Sequence, residues 1–179
     1  MPLEGAHHLP RLLPEAYRGL CFVHWIMTVQ ARATGWLNVS WHQKFLTLLN
    51  KHATVYEVCI PAYCLMPEHL HVLVAGITHS SDQRLFIRAL RRDINLLLRP
   101  LELQKQPYDH VLRPVESGPD SFTALAYYIS ENPVRAGLVS TPQLWAYTGA
   151  CVQELPMLDP CASDFRELWW EYWNKRIRQ

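Results

Sequence analysis

His69-Leu70-His71 and Tyr127-Tyr128-Ile129-Ser130-Glu131-Asn132-Pro133 are the two stretches whose residue types and spacing can do chemistry. On a β-strand, residues two apart point to the same face, so His69 and His71 can approach one cation while Leu70 faces the opposite layer. Two imidazoles leave positions open for a further protein ligand, water and a phosphate oxygen, the arrangement of a catalytic metal site. The same tripeptide also fits two histidines that are only exposed or hydrogen-bonded. In the second stretch Tyr128 and Asn132 are spaced i, i+4 and share one face of a helix end, which would align a nucleophile with a metal-directed amide. A phenol attacking a phosphodiester must be deprotonated or nearly so, and a nearby cation favours both that form and the charge developing on phosphate. An aromatic pair packing a helix on a sheet would explain Tyr127 and Tyr128 equally well.

These residues need a strand and a helix to hold them. From Leu20 to Val29 the residues Cys21, Val23, Trp25, Met27 and Val29 alternate, which predicts a first strand. Asn38 or Ser40 then caps a helix that carries Trp41, Phe45, Leu48 and Leu49 at helical spacing and ends near Ala53. Thr54–Leu65 and His69–Ala75 flank the turn Met66-Pro67-Glu68 and read as a hairpin of central strands. Ser81-Asp82 caps an amphipathic, basic helix, Tyr108–Arg113 is a fourth strand, and Ser121 begins a third helix that stops before Pro133. The order β-α-β-β-α-β is the split-βαβ, ferredoxin-like pattern, an α+β fold with an antiparallel central sheet. A final helix is predicted over Ser163–Ile177, with Trp169, Trp170 and Trp173.

With 179 residues, 49% hydrophobic and 18% charged, the chain is long and apolar enough for one well-buried domain. The net charge of +1 excludes a protein basic throughout, but Arg84, Arg88, Arg91, Arg92, Arg99, Lys105 and Arg113 form a local basic stretch. Five cysteines without a C-x-x-C pair point to reduced, mostly buried thiols. The N-terminal sequence lacks the form of a signal peptide and no stretch reaches the length of a membrane span, so a cytoplasmic protein is expected. Neither a Walker loop nor a G-x-G-x-x-G run is present, so no nucleotide cofactor is expected.

The string Tyr63-Cys64-Leu65-Met66-Pro67-Glu68-His69-Leu70-His71-Val72-Leu73-Val74, followed by Asp109-His110-Val111-Leu112-Arg113 and by Tyr128-Ile129-x-x-Asn132-Pro133-Val134-Arg135-Ala136-Gly137-Leu138-Val139, resembles the REP-associated tyrosine transposases. These are domesticated relatives of the single-tyrosine insertion-sequence transposases, and the resemblance runs from Leu20 to Val139. It implies an HUH nuclease domain with His69 and His71 as metal ligands, Tyr128 as nucleophile and Asn132 completing the metal shell. Tyr127, about 100° away around the helix, is expected to pack instead. The implied reaction is cleavage and rejoining of single-stranded or hairpin DNA through a 5′-phosphotyrosine link, with Mg²⁺ or Mn²⁺, by a monomer or homodimer with no membrane partner. Arg84, Arg88, Arg91, Arg92, Arg113 and Arg135 are the candidates for DNA contact, although Arg135 and Gly137 equally suit a helix end and turn. The expected organisation is an irregular leader over 1–17, the transposase domain over 18–140 and a Trp-rich extension over 141–179 packed on it. The exposed aromatics among Trp145, Tyr147, Trp169, Trp170 and Trp173 could alternatively stack on unpaired bases. Two other classes compete: a non-cleaving nucleic-acid-binding module of the same fold, and a metal-binding structural protein.

Overall fold

The computed structural model describes residues 12–178. Five strands form one antiparallel sheet: β1 (Phe22–Thr28), β2 (Val58–Leu65), β3 (His69–Gly76), β4 (Tyr108–Val111) and β5 (Thr148–Cys151), in the spatial order β4-β1-β3-β2-β5. The first four strands have the ferredoxin-like order expected from the sequence, with β3 at the centre. The helices are α1 (Val39–Val55), α2 (Gln83–Leu98), α3 (Pro119–Ser130), the short α4 (Asn132–Arg135) and α5 (Phe165–Arg176).

Alternation along the strands divides the core in two. Val23, Trp25 and Met27 of β1 and Leu70, Val72 and Val74 of β3 pack under α1 and α2, against Phe45, Leu49, Phe86, Leu90 and Ile94. Phe22, Leu73, Ala75, Ala62 and Cys64 face the other way and pack under α3 and α5, against Phe122, Ala126, Ile129, Phe165, Trp169 and Trp173. A one-residue slip would exchange these two sets, so burial on both faces fixes the register. It also puts His69 and His71 on the α3 face, between Leu73 and the turn.

Local chemistry sets the element ends. Asn38 accepts from the Trp41 N–H to begin α1, and Asp82 accepts from Arg84 and Leu85 to begin α2. Thr54 and Val55 belong to α1 rather than to β2; the chain reverses at Glu57, whose φ of +52° lies in the left-handed region. Pro61 falls inside β2, where it can donate no ladder hydrogen bond, and the pairing with β3 shifts register between Cys59 and Ala62 to accommodate it.

The C-terminal segment differs from a purely helical extension, because β5 pairs with β2 and closes that edge of the sheet. Most of the expected leader, residues 1–11, lies outside the described residues. Its end is built in: Pro14–Tyr17 make a 3-10 turn, and the buried Tyr17 donates its hydroxyl to Asp109. The five cysteines are free; Cys59, Cys64 and Cys151 are buried and Cys21 and Cys161 half-buried, with burial raising each thiol. No helix among the described residues is long and apolar enough to cross a membrane.

Candidate active site

His69 and His71 extend from β3 on the face covered by α3, as the alternation predicts. Their Nε2 atoms converge to 2.9 Å. Two nitrogens that are neighbours on one octahedral cation, with bonds of about 2.1 Å, stand about 3.0 Å apart, so the pair is spaced to share a metal. Without one, a single shared proton satisfies the same contact. Burial lowers the pKa of both rings; at His69 the adjacent Glu68 opposes the shift, and at His71 the charges of His24, His69 and Arg135 add to it. Both are therefore unprotonated at neutral pH, the state an imidazole needs to ligate. On the far edge of His69, Nδ1 lies 3.3 Å from Glu68 Oε1, a contact without hydrogen-bond alignment.

A third histidine, His24, joins them. It lies on β1 diagonal to His71, with its Nε2 3.0 Å from His71 Nδ1 and the rings stacked at 5.2 Å. Spacing along the chain does not single it out, because the apolar alternate set Val23, Trp25 and Met27 dominates the pattern of β1. The signal available was a lone polar residue in the Phe22-His24-Ile26 set, which faces the same side as His69 and His71. His24, His69 and His71 do not converge on one point, and among the described residues no group of three or more His, Cys, Asp or Glu side chains is arranged to hold a metal. A third ligand from the protein would have to be of another type, such as an amide.

Tyr128 stands at the end of α3 and is 52% exposed. The buried stripe of α3 is Phe122, Ala126 and Ile129, at i, i+4 and i+7, so Tyr127 and Tyr128 both fall outside it. Tyr127 is thus not the packing residue expected: it is 44% exposed, and a hydrogen bond to Glu131 raises its phenol pKa. Arg135, from α4, lays its guanidinium over the Tyr128 ring and donates to the Tyr128 carbonyl. Its charge is also felt at Cys64 and His71, which are paired residues of β2 and β3. Asn132 opens α4, and its Nδ2 donates to the carbonyls of Ile129 at 2.9 Å and Tyr128 at 3.3 Å. Gly137, with φ of +70°, ends that turn as its N–H reaches the Val134 carbonyl.

The remaining arginines lie apart from this centre. Arg84, Arg88, Arg91 and Arg92 belong to α2, across the sheet from the histidines. Arg84 and Arg88 are exposed, Arg84 approaching the Tyr17 ring; Arg91 donates to the Lys105 carbonyl and Arg92 to Asp93. Arg113 is engaged with Glu116. Of the aromatics in the extension, Trp169 and Trp173 are buried against Phe22 and Phe122, and Trp145 donates its indole N–H to the Leu65 carbonyl.

No protein-family profile matches the chain, and no curated protein is similar to it in sequence. Among solved structures the chain is similar to a REP-associated tyrosine transposase bound to a REP hairpin, with a TM-score of 0.66 and 18% identity over 79% of this chain and 81% of that one. At that identity the likeness establishes a shared fold.

Proposed function

We propose that this chain is a metal-dependent single-tyrosine strand transferase, kin to the REP-associated tyrosine transposases, that cleaves and rejoins single-stranded or hairpin DNA. The observation that carries the proposal is the Nε2-to-Nε2 pairing of His69 and His71 on the sheet face that α3 covers, with the exposed Tyr128 at the end of that same helix under the Arg135 guanidinium. The shared fold with a hairpin-bound transposase supports the substrate class.

In this reading His69 and His71 would hold Mg²⁺ or Mn²⁺, with Asn132 the candidate third ligand. A cation bound there supplies Lewis-acid neutralisation of charge on the scissile phosphate. Tyr128 attacks phosphorus as its phenol loses its proton to solvent; the Tyr128 Oη–P bond forms, the P–O3′ bond breaks, and the leaving O3′ takes a proton from solvent to become a 3′-hydroxyl. Attack by a 3′-hydroxyl on the phosphotyrosine reverses the step, so the energy of the phosphodiester is conserved. Arg135 lies over the Tyr128 ring and fixes its orientation. Arg84 and Arg88, exposed on α2, are candidates for contact with DNA backbone beyond the cleavage point.

The test is cleavage of end-labelled single-stranded hairpin DNA with Mn²⁺ by wild type, Tyr128→Phe, Tyr127→Phe and the double variant His69→Ala/His71→Ala. A covalent adduct lost in Tyr128→Phe and in the double variant, but kept in Tyr127→Phe, is the expected result. Wild type that binds hairpins and never forms an adduct, across metals and flanking sequences, would leave the non-cleaving DNA-binding module instead.

A further inference from the structure

An imidazole carries its two nitrogens on different edges, and His71 uses both. Nε2 faces His69 Nε2 at 2.9 Å, and Nδ1 faces His24 Nε2 at 3.0 Å. The contact with His24 therefore falls on the edge away from the position the two Nε2 atoms share, which excludes His24 as a ligand to a cation held there. A neutral imidazole has a single N–H. If that hydrogen sits on Nδ1, the Nε2 lone pair is available to a cation; if it sits on Nε2, the ligand position is blocked.

We propose that His24 is a positioning residue that accepts the Nδ1–H of His71 at its own Nε2, and so fixes both the tautomer and the ring orientation in which His71 Nε2 can ligate. The inference rests on the metal-site reading of His69 and His71. It follows from placement as well as distance: His24 and His71 are diagonal neighbours on β1 and β3, and are only 6% and 5% exposed. Water is thus largely kept from the Nδ1 edge, and an unpaired N–H there would be costly. The stacked rings, 22° from parallel, also limit rotation of His71. His69 has a different outer neighbour, the Glu68 carboxylate 3.3 Å from its Nδ1 and not aligned for a hydrogen bond, so of the two rings His71 is the one held by a partner at its outer nitrogen. Outer groups of this kind typically change metal affinity about 10- to 100-fold when removed.

The experiment uses the full chain and reads metal binding without DNA. Mn²⁺ affinity is measured by electron paramagnetic resonance of the free ion for wild type, His24→Phe and His24→Gln, and the His71 tautomer of metal-free wild type by ¹⁵N NMR. The expected results are an Nδ1–H tautomer at His71, affinity lowered about 10- to 100-fold in His24→Phe, and affinity largely restored in His24→Gln, whose amide oxygen can accept. An Nε2–H tautomer, or His24→Phe binding Mn²⁺ as tightly as wild type, overturns the proposal. The tautomer decides the matter even if His24→Phe fails to fold. Wild type that binds Mn²⁺ no better than His69→Ala/His71→Ala would instead remove the metal site itself.

Discussion

The guanidinium of Arg135 lies 3.7 Å from the centroid of the Tyr128 ring and donates a 2.9 Å hydrogen bond to the carbonyl of that same residue. Both contacts come from one side chain, so the ring is tied to the turn that follows its own helix. On the proposed mechanism, replacing Arg135 by Ala removes the cation–π contact that holds the Tyr128 ring, which should slow adduct formation about tenfold. Arg135→Lys should restore only part of the rate, because an ammonium has no planar face to stack. Single-turnover cleavage at saturating DNA measures this, and an unchanged rate in Arg135→Ala would remove the arginine from the reaction.

A second pair joins the two helices on the other face of the sheet. His52 of α1 donates from Nε2 to Asp93 of α2 at 2.9 Å, and Arg92 donates to the same carboxylate at 2.9 Å. The Arg92 hydrogen bond, helped by that of His52, holds the Asp93 carboxyl down at about 2 against the opposing effect of burial. A folded-state pKa below the unfolded one gives stability that is complete above about pH 4 and is lost as pH falls toward 2. Asp93→Asn should therefore cost about 1–3 kcal/mol at pH 7. In urea titrations across pH that difference should shrink on the acid side; a constant difference would mean that charge is not the cause.

Gly76 ends β3 where the chain passes Gly19, and a Cβ built there would stand 2.0 Å from the Gly19 carbonyl oxygen. The obstacle is backbone rather than a flexible side chain. Gly76→Ala should lower stability by about 3 kcal/mol, read as a fall in Tm. Gly118→Ala, with nothing within 4 Å of the added carbon, should have little effect.

Trp169 is fully buried and stacks on Phe122 with ring centroids 5.3 Å apart. Trp169→Ala should cost about 3–5 kcal/mol through lost packing. If equilibrium unfolding were unaffected while hairpin binding fell, the base-stacking role would return.

What the sequence made legible follows from how strongly each signal is constrained. β1 and β3 are buried on both faces, so the alternate set Val23, Trp25 and Met27 and the set Leu70, Val72 and Val74 identify strands without ambiguity. Asn38 and Asp82 mark helix starts because their side chains must satisfy backbone N–H groups. β5 was not legible: Thr148-Gly149-Ala150-Cys151 has little strand propensity of its own, and its pairing with β2 is decided by tertiary contact. The contacts of His24 with His71 and of Arg135 with Tyr128 depend on which neighbours the sheet and α4 bring near, and spacing along the chain contains no such information. Tyr127 was misjudged because its angular separation from Tyr128 separates their directions, whereas the buried stripe of α3 excludes both.

The pairing of β5 with β2 has a consequence during synthesis. Until β5 and α5 leave the ribosome, β2 carries a hydrogen-bonding edge with nothing on it, and Phe22 and Phe122 lack the tryptophans of α5. An uncovered edge beside apolar surface is a template for pairing with another nascent chain. The segment carrying β5 and α5 thus covers this edge and this apolar surface, and chains that stop before it are expected to self-associate.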